Sequence, residues 1–214
     1  MPLTYDPEAA VTHLVKADPV LARVIAAIGP FTMEPRDGAF RSLARAVFFQ
    51  QLAGPAARAI MNRVLALLGT DEERWYAPER LLAASDEELR AAGLSRQKMA
   101  YLRDLSDKFA SGALGEEDFA LLDDEAVIER VSSVKGIGRW TGEMFLIFSL
   151  GRPDVLPVDD LGVRRGMQIT YGLPDLPKPD EMRRVAEPWR PYRSVGTWYM
   201  WRSLGVELPE EGRK

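Results

Sequence analysis

Apolar positions recur at helical spacing along nearly the whole chain. Phe40, Leu43 and Val47 form one such run, and Ala57, Ile60, Met61, Val64 and Leu68 form another, with Gly54-Pro55 between them. This spacing predicts two amphipathic helices joined by a tight turn that carries Gln50-Gln51-Leu52. Asp6-Pro7 and Asp18-Pro19 each set a capping carboxylate ahead of a proline whose φ suits a first helical turn, and Gly29 stops the second of these helices. Ser85-Asp86-Glu87-Glu88 spells a capping box, opening a short helix that ends near Gly93. The next helix starts after Ser95 and carries Met99, Leu102 and Leu105, and others are expected over residues 125–133, up to Leu150, and from Leu161 to Tyr171. Asp86-Glu87 ahead of Gly93-Leu94-Ser95 is faintly echoed by Asp124-Glu125 ahead of Gly136-Ile137-Gly138. No run alternates as a strand would, so the expected fold is all-α, with roughly ten short helices.

Composition narrows the chemistry. The 214 residues include no cysteine and one histidine, His13, which excludes a disulfide framework, a zinc knuckle, an iron–sulfur cluster and a cysteine nucleophile. No stretch approaches the ~20 apolar residues of a membrane span, and the amino end lacks the pattern of a signal peptide. The expected address is the cytoplasm, alongside the bacterial nucleoid, with no membrane partner. The formal charge of −4 hides an asymmetry. Residues 130–203 hold 12 Lys and Arg against 8 Asp and Glu, while the remainder holds 16 basic and 24 acidic residues. A polyanion could approach the carboxyl-terminal third.

The most informative run is Val134-Lys135-Gly136-Ile137-Gly138-Arg139-Trp140-Thr141-Gly142. Two glycines flank an apolar plug between two helices. Gly136 and Gly138 permit turn geometries that bring backbone N–H groups close to a phosphate at a helix start, and Lys135 and Arg139 add positive charge. Further along stands Val155-Leu156-Pro157-Val158-Asp159-Asp160-Leu161-Gly162-Val163-Arg164-Arg165-Gly166, with Asp159 lying 21 residues after Gly138. Together with Phe49-Gln50-Gln51-Leu52, Gly93-Leu94-Ser95-Arg96-Gln97-Lys98 and Pro191-Tyr192-Arg193-Ser194, these motifs resemble the helix-hairpin-helix (HhH-GPD) DNA glycosylase superfamily from about Phe40 to Leu204. Within it they are most similar to the alkylpurine, or 3-methyladenine, branch of AlkA type.

The resemblance implies a single domain over residues 1–214, in two helical lobes with a cleft between them. One lobe would cover about 36–150, including the hairpin 134–140, and the other 1–35 with 151–214. The amino-terminal β subdomain of longer relatives is not expected, since only some forty residues precede the wedge helix. By resemblance Leu52 is an apolar wedge that fills the gap left when a base is flipped out of the stack, with Gln50 and Gln51 along the minor groove. A core leucine at a helix end remains the alternative. Asp159 would stabilise the oxocarbenium-like sugar or activate water, the positive end of a helix favouring an ionised carboxylate. Helix capping is its alternative duty, for which Asp160 competes.

Trp140, Trp201 and Met144 fall at pocket positions of the family, where ring faces would attract a cationic alkylated base. Core packing is the ordinary alternative for the two tryptophans, and Tyr192, Trp198 and Tyr199 are assigned to the core. Met144, in place of an aromatic residue, suggests a wider substrate range that reaches 1-methyladenine and 3-methylcytosine. Trp140 also occupies the position where bifunctional relatives carry a lysine nucleophile, so a monofunctional hydrolase without lyase activity is expected. No cofactor is required, although the carbonyls of Ser132, Val134 and Ile137 match a family site for sodium or potassium. Ser95, Lys98, Arg164 and Arg193 are further candidates for DNA contact, as are Arg165, Arg183 and Arg184, each with a solvated surface role as the alternative.

The partner implied is double-stranded DNA with alkylated bases, bound by a monomer. Two other readings compete: a non-enzymatic helix-hairpin-helix DNA-binding module, and a helical scaffold that binds protein through its acidic amino-terminal two thirds.

Overall fold

The structure is a computed structural model that describes residues 3–35 and 38–205. Among these residues every regular element is helical, and no helix is long and apolar enough to cross a membrane. In chain order the α-helices are α1 (Pro7–Ala17), α2 (Pro19–Ile28), α3 (Ala39–Phe49), α4 (Gly54–Leu67), α5 (Pro78–Ala83), α6 (Asp86–Ala91) and α7 (Arg96–Ala110). They continue as α8 (Glu116–Leu121), α9 (Asp124–Ser132), α10 (Arg139–Phe148), α11 (Leu161–Tyr171), α12 (Pro179–Val185) and α13 (Arg193–Ser203), with a 3₁₀ turn at Glu187–Trp189.

The caps follow the sequence. Asp6 accepts from the Glu8 N–H, Asp18 from Val20 and Leu21, and the Ser85–Glu88 capping box is formed in both directions. The predicted Leu161–Tyr171 helix is α11. The six-residue helices α5 and α8 do not emerge from periodicity, because so short a run shows too few turns to establish a period.

The chain divides into two compact units, residues 1–35 with 146–214, and residues 36–145. In the second of these, α7 packs against α3 and α5. Leu43, Val47 and Phe48 of α3, Leu81 of α5 and Met99, Leu102 and Leu105 of α7 are buried there. Phe40 lies edge-on to both Tyr76 and Phe109, at 5.4 and 5.3 Å between ring centroids.

The other unit is built on α2, α11 and α13. Gly166 lets α11 touch α13 backbone to backbone, since a Cβ there would stand 2.3 Å from the Met200 carbonyl oxygen. Gly196 similarly makes room for the fully buried Trp189 ring. Asp18 fastens the unit by a buried carboxylate. Besides capping α2, its Oδ2 accepts from the Tyr171 hydroxyl at 2.5 Å and the Trp189 indole N–H at 2.9 Å. Burial and this neighbouring carboxylate push the Tyr171 phenol well above its ordinary pKa.

Removing a carboxylate that serves four donors leaves several of them buried and unpaired. Asp18→Ala is therefore expected to cost about 3 kcal/mol, against about 1 kcal/mol for the exposed cap lost in Asp6→Ala. Urea unfolding of the two variants checks this, and equal losses would contradict it.

Candidate active site and nucleic-acid interface

In the unit of residues 36–145, three turns meet through specific contacts. The first is the hairpin between α9 and α10. Val134 and Ile137 are buried plugs while Lys135, Gly136 and Gly138 are exposed. The turn is held from inside by Ile137 N–H to Val134 O at 3.1 Å, and from α7 by the Asp104 carboxylate, which accepts the Lys135 N–H at 2.9 Å. Gly136 is in the left-handed region at φ 78, and a Cβ on it would lie 2.2 Å from the Tyr101 ring. Its glycine is thus demanded twice. A Cβ on Gly138 would meet nothing within 4 Å. The N–H groups of Gly136 and Gly138 have no acceptor among the described residues, so the hairpin presents unpaired donors at the start of α10, as an anion site requires.

The second turn joins α3 to α4. Residues 51–56 are all exposed, and Leu52 is 40% exposed, so the core-leucine alternative is set aside. Gln51 holds φ 55 without being glycine, a conformation costing roughly 1 kcal/mol. Gln50 does more than precede this exposed turn: its Nε2 donates to the Gly136 carbonyl at 2.8 Å.

The third turn precedes α7. The Ser95 hydroxyl caps α7 by accepting the Lys98 N–H. Lys98 Nζ donates to the Phe48 carbonyl in the last turn of α3 at 2.5 Å, and burial pulls its pKa below the usual lysine value. Lys98 thus ties the start of α7 to the end of α3, while Ser95 caps its own helix from an exposed position. Arg139 likewise forms a two-armed ion pair with Glu125, at 3.0 and 2.5 Å, and the guanidinium holds the Glu125 carboxyl below its ordinary value. Trp140 is 49% exposed, so it is not a core residue, and Met144 is half-buried.

In the other unit, the segment before α11 ends in a turn whose Asp160 N–H donates to the Pro157 carbonyl at 3.1 Å. Asp159 lies on the outside of that turn, exposed and without a hydrogen-bond or ion-pair partner among the described residues. Asp160 is buried. Its Oδ1 caps α11 through the Val163 N–H at 2.8 Å and accepts the Trp201 indole N–H, also at 2.8 Å. The Trp201 ring lies against Gly162, where a Cβ would approach its Cδ1 to 2.9 Å, and stacks on Phe148 at 5.4 Å. The half-buried Trp201 is therefore held in a fixed orientation beside the start of α11. The capping aspartate was legible as a cap; its bond to an indole 41 residues away was not.

The arginines divide. Arg193 binds Asp154 through its backbone N–H, Nε and Nη2, and Arg190 joins the same carboxylate. The Arg193 guanidinium thus braces the segment leading to Asp160. Arg164 Nε donates to the Pro177 carbonyl, and Arg183 pairs with Asp180. Arg165 and Arg184 are exposed. For a monovalent cation, the Ser132 and Ile137 carbonyls accept no hydrogen bond among the described residues, and Val134 O accepts only the Ile137 N–H. These oxygens fit a hard cation's demand for neutral oxygen donors.

Residues 44–191 match the HhH-GPD superfamily of base excision DNA repair proteins. The chain belongs to this superfamily. DNA-3-methyladenine glycosylase 1 of Schizosaccharomyces pombe is 35% identical over 196 residues, covering 89% of this chain and 85% of that protein. Among solved structures, the 3-methyladenine DNA glycosylase of that yeast in complex with abasic DNA is similar at a TM-score of 0.82 and 33% identity, over 95% of this chain and 100% of that one. A DNA-3-methyladenine glycosidase of Bacillus halodurans reaches 0.84 at 36% identity, over 95% and 91%. The all-helical architecture agrees with this membership.

The two hairpin glycines of this HhH-GPD chain are expected to respond differently to alanine. Gly136→Ala should lower the melting temperature by several degrees, because both φ and Tyr101 oppose it, by about 1–3 kcal/mol. Gly138→Ala should leave melting unchanged and weaken duplex binding, measured by fluorescence anisotropy. Unaltered binding by a folded Gly138→Ala protein would remove the hairpin from the interface.

Proposed function

We propose that this protein is a monofunctional DNA glycosylase of base excision repair, which flips alkylated bases out of the duplex and hydrolyses the N-glycosidic bond. The observation that carries this reading is the buried carboxylate of Asp160, fixed at the positive end of α11 and hydrogen-bonded to Trp201. The relatives named as 3-methyladenine glycosylases support the substrate class. 3-Methyladenine and 7-methylguanine are the proposed substrates, with 1-methyladenine and 3-methylcytosine as extensions through the half-buried Met144.

The division of labour follows from charge. Alkylation at N3 or N7 leaves the purine positively charged, so it departs without a general acid. The sugar then becomes an oxocarbenium-like cation, which a nearby carboxylate stabilises more than it does the ground state. Sequence register pointed to Asp159; the geometry favours Asp160, because it combines burial, the helix dipole and a bond to an aromatic face suited to a cationic base. Trp140, 49% exposed, is a further proposed ring face for a cationic base. Leu52 is the proposed wedge, replacing the flipped base in the stack. The unpaired N–H groups of Gly136 and Gly138 are the proposed grip on a backbone phosphate. The Ser132, Val134 and Ile137 carbonyls would hold a sodium or potassium ion whose charge supports that grip, and bond cleavage does not run through it. With Trp140 at the position of the lysine nucleophile of bifunctional relatives, the product is an abasic site with the strand intact. The enzyme is read as a cytoplasmic monomer.

Free-base release from methylated duplex DNA tests this, with strand breaks scored before and after alkali. Wild type should release 3-methyladenine and 7-methylguanine and yield breaks only after alkali. Asp160→Asn should lose ~100-fold or more in rate with duplex binding retained, and Asp159→Asn should stay within several-fold of wild type. The reverse order would return the chemistry to Asp159. A folded wild type that binds duplex and releases no base across the lesion panel would instead be a helix-hairpin-helix binding module.

A further inference from the structure

We propose that Gln50 is a positioning residue that couples the hairpin's hold on the DNA backbone to insertion of Leu52. The proposal rests on the glycosylase reading above for the identity of the wedge. Its own support lies in the unit of residues 36–145. The α3–α4 turn is exposed from residue 51 to 56, with Gln51 in a left-handed conformation that a side chain disfavours. Such a turn, carrying an apolar residue into water, keeps its shape only if something outside it holds it. Two side-chain bonds do so. Lys98 Nζ anchors the Phe48 carbonyl at the end of α3, and Gln50 Nε2 reaches the Gly136 carbonyl.

The second bond is the informative one. A carbonyl can only accept, so the Gln50 group facing it is the amide NH₂. The peptide it meets joins Gly136 to Ile137, and its other edge is already fixed by Ile137 N–H to Val134 O. On either side of this doubly held peptide stand the two unpaired N–H groups, those of Gly136 and Gly138. A phosphate seated on those donors is therefore one rigid peptide and one side chain away from the wedge turn. Gln50 spends its amide on the protein itself, which departs from the expectation that it lies along the minor groove.

The test is a double-mutant cycle in the full chain with Gln50→Ala, Leu52→Ala and both together. The probe is a duplex with a tetrahydrofuran abasic analogue beside 2-aminopurine, whose fluorescence reports unstacking. Affinity for the matching undamaged duplex and the melting temperature are measured in parallel. Gln50→Ala should keep its melting temperature and its undamaged-duplex affinity within about twofold, while losing about fivefold or more in affinity for the abasic-analogue duplex along with the fluorescence change. The double variant should be no worse than Leu52→Ala alone. Gln50→Glu keeps the shape but cannot donate to a carbonyl, and should be at least as impaired as Gln50→Ala. Losses that multiply in the double variant would overturn the coupling, as would a Gln50→Glu protein that behaves as wild type. Base release by wild type judges the glycosylase reading separately: its absence beside an intact cycle would remove the enzyme and leave the coupling standing.

Discussion

The Asp160 carboxylate joins two parts of one unit that chain order keeps far apart. One oxygen receives the Val163 N–H at the start of α11 and the indole N–H of Trp201 near the end of α13. Everything around it serves that junction. Gly162 leaves space for the indole, Phe148 supports its face, and Gly166 lets the two helices approach until backbone meets backbone. The incoming segment is pinned to the other end of the same helix. Asp154 is bound by Arg193, and Ser194 donates to the Arg152 carbonyl while accepting the Val155 N–H. Thus α13 braces the chain before the turn at its amino end and the carboxylate after the turn near its carboxyl end. A buried carboxylate is tolerated because its hydrogen bonds offset the cost of desolvation.

The unit of residues 36–145 solves a different problem, the display of backbone donors to solvent without unfolding the turn that bears them. Burying Val134 and Ile137 anchors the hairpin, and Asp104 and Tyr101 of α7 shape it from beneath. Charge there is moderated. Arg139 is shared with Glu125, and Lys135 stands 3.9 Å from Asp104. A surface that relies on unpaired amides more than on free cations binds an anion through direction as well as attraction. This fits a chain whose overall charge is negative.

Legibility in the sequence tracks the range of the interaction. Caps, breaks and the α11 boundaries depend on residues a few positions apart, and the chain spells them: Asp6-Pro7, Asp18-Pro19, the Ser85 box and Gly54-Pro55 all act as their spelling implies. The hairpin was readable for the same reason, since its glycines and apolar plug lie within five residues of one another. What escaped was whatever depends on a distant partner. Lys98 and Arg193 read as cations for DNA, yet one is 50 residues from the carbonyl it anchors and the other 39 from its carboxylate. A long basic side chain looks the same in sequence whether it faces phosphate or a helix end.

The adjacent aspartates carry the same lesson to finer resolution. Motif spacing counts residues, and a tight turn can turn one of two neighbours outward and the other inward. Here the Pro157–Asp160 turn does that, leaving Asp159 in solvent and giving Asp160 to the helix and the indole. A carboxylate in water is screened and would exert little influence on a developing cation a few ångströms away, whereas one in a less polarisable setting acts at greater strength. The turn therefore separates two residues that chemical type and register leave nearly equivalent. The stronger local field that burial allows belongs to Asp160 and not to Asp159.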